Sequence, residues 1–394
     1  MSRGSPAQDA GRTSDESGRV PGAGDRALPR SLCVVPALGG DEGGQATAAA
    51  GLTAFLASRG YEVQVLDTSS PLFPPPPVYR KLPAAVRRTW RAFRALRSGR
   101  VTNAFLFSGA GLSLWERVAV CWLCRRARVP HVLFFRNSDV LEQIRQRPAV
   151  GRSWLRSLLA VPEMIAVQGE RWVGPLRELG VDPARVLVVA NWVPPNVTVA
   201  SGPKKVASGE PVHFVFAGRL VESKGVMTIL DASLGQLADV RHKVTIVGSG
   251  PLEGGMRERL ARAPAAAVEM VGNRSRVGVY EVLQRGNVFL LPTFHNEGFP
   301  NALLEAMALG LPAISTDVGA IAESLRDGVN GFIVPPRDPV ALATAMRAYI
   351  GSPELVTSHS LRTLEIVHAR HGRDATLVRL LDAVTDGQRT AADR

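Results

Sequence analysis

The sequence predicts an α/β protein of two tandem, doubly wound Rossmann-like domains with a cleft between them. Three observations carry this expectation. The 394 residues exceed what one ordinary core holds and suit two domains of about 150–200 residues. Short apolar runs alternate with helical segments along most of the chain, the rhythm from which right-handed βαβ units build parallel sheets. That rhythm stops at VPPNVTVASGPKKVASG (193–209) and then restarts. The expected divisions are a tail over 1–29, a first domain over 30–195, a linker over 196–210 and a second domain over 211–372. A C-terminal helix and tail over 373–394 are expected to pack back toward the first domain.

The elements follow in order. Residues 1–29 are rich in Gly, Ser and Pro, carry four basic and four acidic side chains, and lack any apolar segment. They predict a disordered tail rather than a signal peptide. Leu32–Pro36 is an apolar run closed by the loop PALGGDEGG. A run of good helix formers follows, ATAAAGLTAFLASRG, with Gly60 in the C′ position, and then Tyr61–Leu66 alternates as a strand. Pro71–Pro77 (PLFPPPP) is excluded from regular structure, because proline lacks the backbone donor and fixes its own φ. Strands are expected over Ala104–Phe107, His131–Phe135, Met164–Val167 and Val186–Val189, with helices over Leu114–Arg126 and Trp172–Leu179. In the second half the strands are His213–Ala217, Lys243–Val247, Ala267–Val271, Val288–Leu291, Pro312–Ser315 and Gly331–Val334.

Composition narrows the class. With 45% hydrophobic and 21% charged residues the chain is a globular protein, and no run of apolar residues is long enough to span a bilayer. The three cysteines cannot build a disulfide framework, and their odd count points to a reducing compartment. Cys121 and Cys124 form a C-x-x-C inside a helical run with no second pair nearby, so buried thiols are expected rather than a metal site. The net charge of +12 is uneven. Residues 30–200 hold 22 basic and 11 acidic side chains, against 21 and 20 over 201–394. An excess confined to the first half suggests an anionic partner there: a membrane surface, a phosphorylated acceptor or nucleic acid. No nucleic-acid-binding module is recognisable, so no nucleic-acid partner is expected. Within 80–100, Val86, Trp90, Phe93 and Leu96 fall near helical spacing among Arg87, Arg88, Arg91, Arg94 and Arg97. Such a helix either lies on anionic lipid or turns its Trp and Phe into the core beneath a solvated arginine face.

Chemistry concentrates in the second half. Ala217–Gly225 (AGRLVESKG) ends a strand and opens a helix, setting Arg219 and Lys224 beside helix amides where a diphosphate would bind. Val247–Pro251 (VGSGP) ends the next strand with glycines, Gly248 and Gly250, that admit a ligand to the backbone. The sharpest pattern is LPTFHNEGFPNALLEAMA (291–308). Here Glu297 precedes a helix that starts near Pro300, and Glu305 lies on its second turn. Two carboxylates so placed accept hydrogen bonds from vicinal hydroxyls, while the amides of Gly298, Phe299 and Asn301 donate to sugar oxygens.

The E-x₇-E spacing of Glu297 and Glu305 within EGFPNALLEAMALGLPAISTDVGAIAESLRDGVNGFIVPP resembles glycosyltransferase family 4, of the GT-B fold. AGRLVESKG, VGSGP, the Gly43-Gly44 pair and Val189–Val193 (VANWV) support the resemblance, which runs from residue 31 to about 385. It implies a retaining enzyme that takes a sugar from a nucleotide diphosphate sugar, UDP favoured, to a glycan, glycolipid or small-molecule acceptor in cell-surface polysaccharide or glycoconjugate synthesis. By the same resemblance Arg219 and Lys224 would neutralise the diphosphate, Glu305 would hold ribose hydroxyls, and Glu297 would hold the transferred sugar. Gly218, Gly43 and Gly44 would let the loops close on the phosphates, and no metal or other cofactor is implied. The protein would work in the cytoplasm, at the inner face of the plasma membrane if the basic helix touches it. Three departures stand out. Pro300 replaces the usual second glycine of E-G-F-G, Trp192 replaces the glycine of N-G-V, and Arg136 stands where a histidine is usual. Arg136, with Asn137 and Asp139, is therefore the expected acceptor side, since a guanidinium fork suits carboxylate or phosphate. The competing role for Arg136 is an internal ion pair with Asp139 or Glu142. Two other classes compete with the transferase: a catalytically inactive scaffold that binds nucleotide or glycan, and another enzyme of the same fold. Intact Glu297, Glu305, Arg219 and Lys224 argue against the scaffold.

Overall fold

The structure, a computed structural model, describes residues 28–35, 44–68, 78–109, 111–136, 149–263, 267–295 and 298–392. The segment Pro71–Pro77 lies outside them, as do Gly43, Asn137, Asp139, Glu142 and Glu297.

Strand β1 (Arg30–Val35) leads through α1 (Gly44–Ser58) to β2 (Glu62–Asp67), and α2 (Val78–Arg97) then returns the chain to β3 (Val101–Ser108). After β3 come α3 (Leu112–Arg126), β4 (His131–Phe135), α4 (Ala149–Leu159), β5 (Met164–Val167), α5 (Val173–Glu178) and β6 (Val186–Val188). These six strands form one parallel sheet in the order β2-β1-β3-β4-β5-β6. The central strands are buried on both faces, which is why HVLFF and MIAV stand out as apolar runs in the sequence.

The strand expected over Ala104–Phe107 extends back to Val101, where polar residues hide it. Asn103 and Ser31 are both buried, and the Ser31 hydroxyl donates to Asn103 Oδ1, so each side chain offsets part of the other's burial inside the sheet. The helix expected over Trp172–Leu179 divides into a 3₁₀ turn, Glu170–Trp172, and α5, with Gly174 and Pro175 in its first turn.

The second sheet collects β7 (His213–Ala217), β8 (Lys243–Val247), β9 (Val268–Gly272), β10 (Val288–Leu291), β11 (Ala313–Ser315) and β12 (Gly331–Ile333). Its order is β12-β11-β10-β7-β8-β9, all parallel. The direction of winding reverses between β7 and β10. At such a switch point the connecting loops diverge to opposite faces and leave a crevice beyond the strands' carboxyl ends. Helices α6 (Val226–Asp231), α7 (Glu253–Ala261), α8 (Arg276–Arg285), α9 (Asn301–Ala308), α10 (Pro339–Gly351) and α11 (Glu354–His371) complete this half.

The last helix, α12 (Arg373–Ala392), crosses back. Its Leu377, Leu380 and Val384 are buried in one cluster with Leu52, Phe55 and Leu56 of α1 and with Phe105 and Phe134 of the first sheet. The three cysteines are unpaired and buried, and burial pushes the Cys33 and Cys124 thiols up to about 12. They are packing residues, not nucleophiles. Among the described residues no helix is long and apolar enough to cross a membrane.

Candidate functional site

At the switch point three loops lie against one another. Gly218 N donates to Val247 O at 3.0 Å and Leu220 N to Ser249 O at 2.9 Å, which zips the loop after β7 to the loop after β8. Gly248 N donates to Gly272 O at 3.0 Å and so adds the loop after β9. Gly248 has φ +138, and a Cβ there would fall onto Gly218 O, so only glycine allows this packing. Gly225 (φ +71) abuts Pro292 O in the same manner. Ser223 O accepts from Phe294 N at 2.9 Å and from Thr293 Oγ1 at 2.9 Å. The turn carrying Lys224 is thereby stitched to the loop that leads toward Glu297.

A cavity of about 810 Å³ opens at this junction. Gly218, Arg219, Gly248, Gly250 and Glu305, all named from the sequence, line it together. So do Asn273, Arg274, Ser275 and Arg276, which sequence reasoning missed. Burial holds the Glu305 carboxyl above its ordinary range, with the Arg276 guanidinium and a Tyr280 hydrogen bond pulling the other way. Burial also pushes the Tyr280 phenol up to about 12, and the nearby Glu305 carboxylate pushes in the same direction. Arg276 reaches across to the first domain, where Nη2 donates to Thr47 Oγ1 of α1 at 2.6 Å. Gly44 begins that helix.

Gly298, Phe299 and Asn301 precede Ala302, which lines the cavity, and lie at the seam between the two sheets. Asn191 Nδ2 donates to Phe299 O at 2.7 Å and to Asn301 Oδ1 at 3.0 Å. Asn191 Oδ1 accepts from Arg136 Nη2 at 2.6 Å and also from Gln168 Nε2. Gln168 in turn packs on Gly298 so closely that a Cβ there would collide with its amide. Arg136 is buried, and its guanidinium carbon lies 5.4, 5.1 and 4.8 Å from the ring centroids of Phe107, Phe134 and Trp192. Burial pulls it down to about 9. Among the described residues its polar partner is Asn191, and the carboxylates expected as ion-pair partners, Asp139 and Glu142, lie outside those residues. Trp192, the departure from N-G-V, fills the space beside Gly51 of α1, where a Cβ would stand 2.6 Å from the indole nitrogen. A glycine on α1 thus accommodates the larger side chain.

The seam also holds His371. Its Nδ1 donates to Asn191 O at 2.6 Å, and Nε2 accepts from Ser324 Oγ at 2.8 Å. Burial pushes its pKa down to about 4. The folded value lies below the unfolded 6.5, so the unfolded chain takes up a proton first. Stability from this group is complete above pH 6.5 and is lost as pH falls toward 4, by about 3 kcal/mol in all. Thermal melts from neutral to mildly acid pH are expected to show that decline, and His371→Gln to flatten it. A decline of equal slope in the variant contradicts this assignment.

A second cavity, about 990 Å³, lies at the opposite end of the first sheet among Arg125, Arg128, His131, Glu163 and Arg185. Arg185 is already bonded to the carbonyls of Leu159, Pro162 and Glu163. The space sits at the strands' amino ends, whereas ligands of such sheets bind beyond the carboxyl ends, where the smaller cavity opens.

Two family models match the chain: "Glycosyl transferases group 1" over residues 211–352 and "Glycosyl transferase 4-like domain" over residues 43–192. WcaL of Salmonella typhimurium, named as a colanic acid biosynthesis glycosyltransferase, is 31% identical over 185 residues, 45% of this chain and 45% of that protein. The chain thus spans under half the length of that relative. Sucrose-phosphate synthase from Thermosynechococcus elongatus has the same fold, with a TM-score of 0.68 and 17% identity, over 92% of this chain and 100% of the other. Anabaena HepE, solved in complex with UDP and glucose, superposes with a TM-score of 0.65 and 14% identity, over 91% and 99%.

Proposed function

The chain belongs to glycosyltransferase family 4 and has its GT-B fold, and on that premise we propose that it transfers a sugar from a nucleotide diphosphate sugar to an acceptor, with retention of anomeric configuration. The observation that carries the proposal is the cavity at the β7/β10 switch point, where glycine-bounded loops, guanidinium groups and a half-buried carboxylate converge. Arg219 and Lys224 meet the charge of the diphosphate and of the leaving group. Glu305 holds the ribose hydroxyls, with Tyr280 and Arg276 fixing its orientation. Glu297 holds the sugar hydroxyls, and the amides of Gly298, Phe299 and Asn301 line the sugar. Gly218, Gly248 and Gly250 admit the phosphates to the backbone, while Gly43 and Gly44 bring the first domain over them. The basic side chains and helix amides replace a metal ion in this scheme.

UDP is the favoured carrier, and HepE, a protein of this fold bound to UDP, makes it the first nucleotide to test. The acceptor is a glycan, glycolipid or small molecule, and the relationship to WcaL favours cell-surface polysaccharide or glycoconjugate synthesis. We assign Arg136, Asn137 and Asp139 to the acceptor, with Arg136 acting through Asn191. Residues 80–100 touch an anionic membrane surface.

Glu305→Ala is expected to weaken nucleotide binding about 10- to 100-fold, the worth of charged hydrogen bonds to hydroxyls. Calorimetric titration with UDP and GDP checks it, and unchanged affinity for both removes Glu305 from the donor site. Because burial raises the Glu305 pKa, its ionised, accepting form is lost early on acidification. Nucleotide affinity is therefore expected to fall as pH drops through the mildly acid range, and to fall less in Glu305→Gln.

A further inference from the structure

We propose that three helices of the first domain form one docking face for an anionic lipid surface. The inference deepens the membrane contact assigned above to residues 80–100 and rests on it. Helix α2 turns Ala85, Ala92, Ala95 and Leu96 inward. Leu82, Val86 and Trp90, spaced four residues apart, face solvent instead, so Trp90 is not a core residue. Next to α2, helix α3 presents Trp115 and Trp122, two turns apart, and α4 presents Trp154, whose ring centroid lies 3.7 Å from that of Trp115. These six side chains are 41–63% exposed. They include four of the six tryptophans; the other two, Trp172 and Trp192, are buried. A domain with nothing to bind gains nothing by leaving four indoles in water, whereas indoles favour the boundary between hydrocarbon and headgroups.

The charge pattern identifies the occupant. Helix α2 carries seven basic residues, α3 three and α4 two, and the three helices together have one acidic residue, Glu116. Glu116 is buried and already taken: Arg88 holds it at 2.6 and 2.9 Å and Arg117 at 3.0 Å. The Arg88–Glu116 pair also ties α2 to α3, so the two helices move as one surface. Arg87, Arg91, Arg94 and Arg97 are exposed. Arg126 lies over the Trp122 ring at 5.1 Å, and Arg97 over Phe93 at 5.6 Å. A depression of about 400 Å³ between Trp90, Phe93, Arg94 and Arg97 sets aromatic faces beside guanidinium groups. That combination suits a phosphate headgroup above an acyl chain. A protein partner would ordinarily be met by charges of both signs around the rim, and among the described residues the exposed charges of these three helices are all basic.

Flotation of the full chain with phosphatidylcholine vesicles, with and without phosphatidylglycerol, tests the proposal. The protein is expected on the anionic vesicles only, with a blue shift in tryptophan emission and release by salt. Replacing Arg87, Arg91 and Arg94 by Gln is expected to lower the partition coefficient about fivefold per arginine. Trp90→Ala with Trp122→Ala is expected to weaken binding and reduce the blue shift; both sites are exposed, so the fold tolerates them. Equal binding to neutral vesicles, no binding to either, or indifference to both variants overturns the proposal. So does self-association or nucleic-acid binding that covers the same tryptophans without vesicle affinity. UDP titration of the same samples separates the two readings. Vesicle binding absent with UDP binding intact refutes this face together with the membrane contact of residues 80–100 and leaves the donor site standing. The reverse refutes the donor site alone. Binding that needs the arginines but ignores Trp122→Ala keeps the contact of residues 80–100 and refutes the three-helix face.

Discussion

Arg219→Ala and Lys224→Ala are each expected to lower kcat by about 10²–10³, the usual loss when a preorganised charge at a developing anion is removed. Arg219 is exposed at the lip of the β7/β10 cavity, and Lys224 sits on the turn stitched to the Pro292–His295 loop. Neither belongs to a core cluster, so melting temperature is expected to hold while turnover falls. EDTA is expected to leave the wild type active. Activity abolished by EDTA and retained in both variants contradicts the assignment, since a metal would then carry the phosphate charge.

Asn191→Ala is expected to destabilise the protein by about 2–3 kcal/mol, the range found when a buried charged group loses a hydrogen-bonding partner. The single side chain serves Arg136, Gln168, Phe299 O and Asn301, and so joins the first sheet to the start of the helix that carries Glu305. Removing it leaves Arg136 in an aromatic box without its hydrogen-bonding partner. Denaturant unfolding measures the loss, and a cost below about 1 kcal/mol would mean that the seam does not depend on this residue. Arg136→Lys keeps the charge but gives up the planar fork. It is expected to lower the melting temperature and to raise the acceptor KM. A lower melting temperature with normal acceptor kinetics removes Arg136 from the acceptor side.

The two sheets were legible because buried parallel strands are continuous apolar runs, and because glycines mark the loops after β7 and β8. Residues that act through tertiary position were not. Asn273–Arg276 is an ordinary polar turn in sequence, and its place in the β7/β10 cavity follows from β9 lying next to β8. The bond from Arg276 to Thr47 joins residues 229 apart, and no local pattern announces it. Asn191 was visible only as part of a strand-end motif, while its four partners come from both halves of the chain. Spacing alone also placed Val86 and Trp90 in one stripe with Leu96. The structure separates them because small alanines, Ala85, Ala92 and Ala95, occupy the inner face of α2.

The proposed reaction is transfer of a sugar from a nucleotide diphosphate donor held in the β7/β10 cavity, with retention at the anomeric carbon. Proton NMR of the purified protein with a panel of UDP-sugars and glycan acceptors tests it most directly. The expected spectrum shows the donor anomeric signal replaced by a product signal of the same configuration, with UDP released in step. Arg219→Ala should suppress that change. A product of inverted configuration, or donor consumption indifferent to both Arg219 and Glu305, would contradict the account.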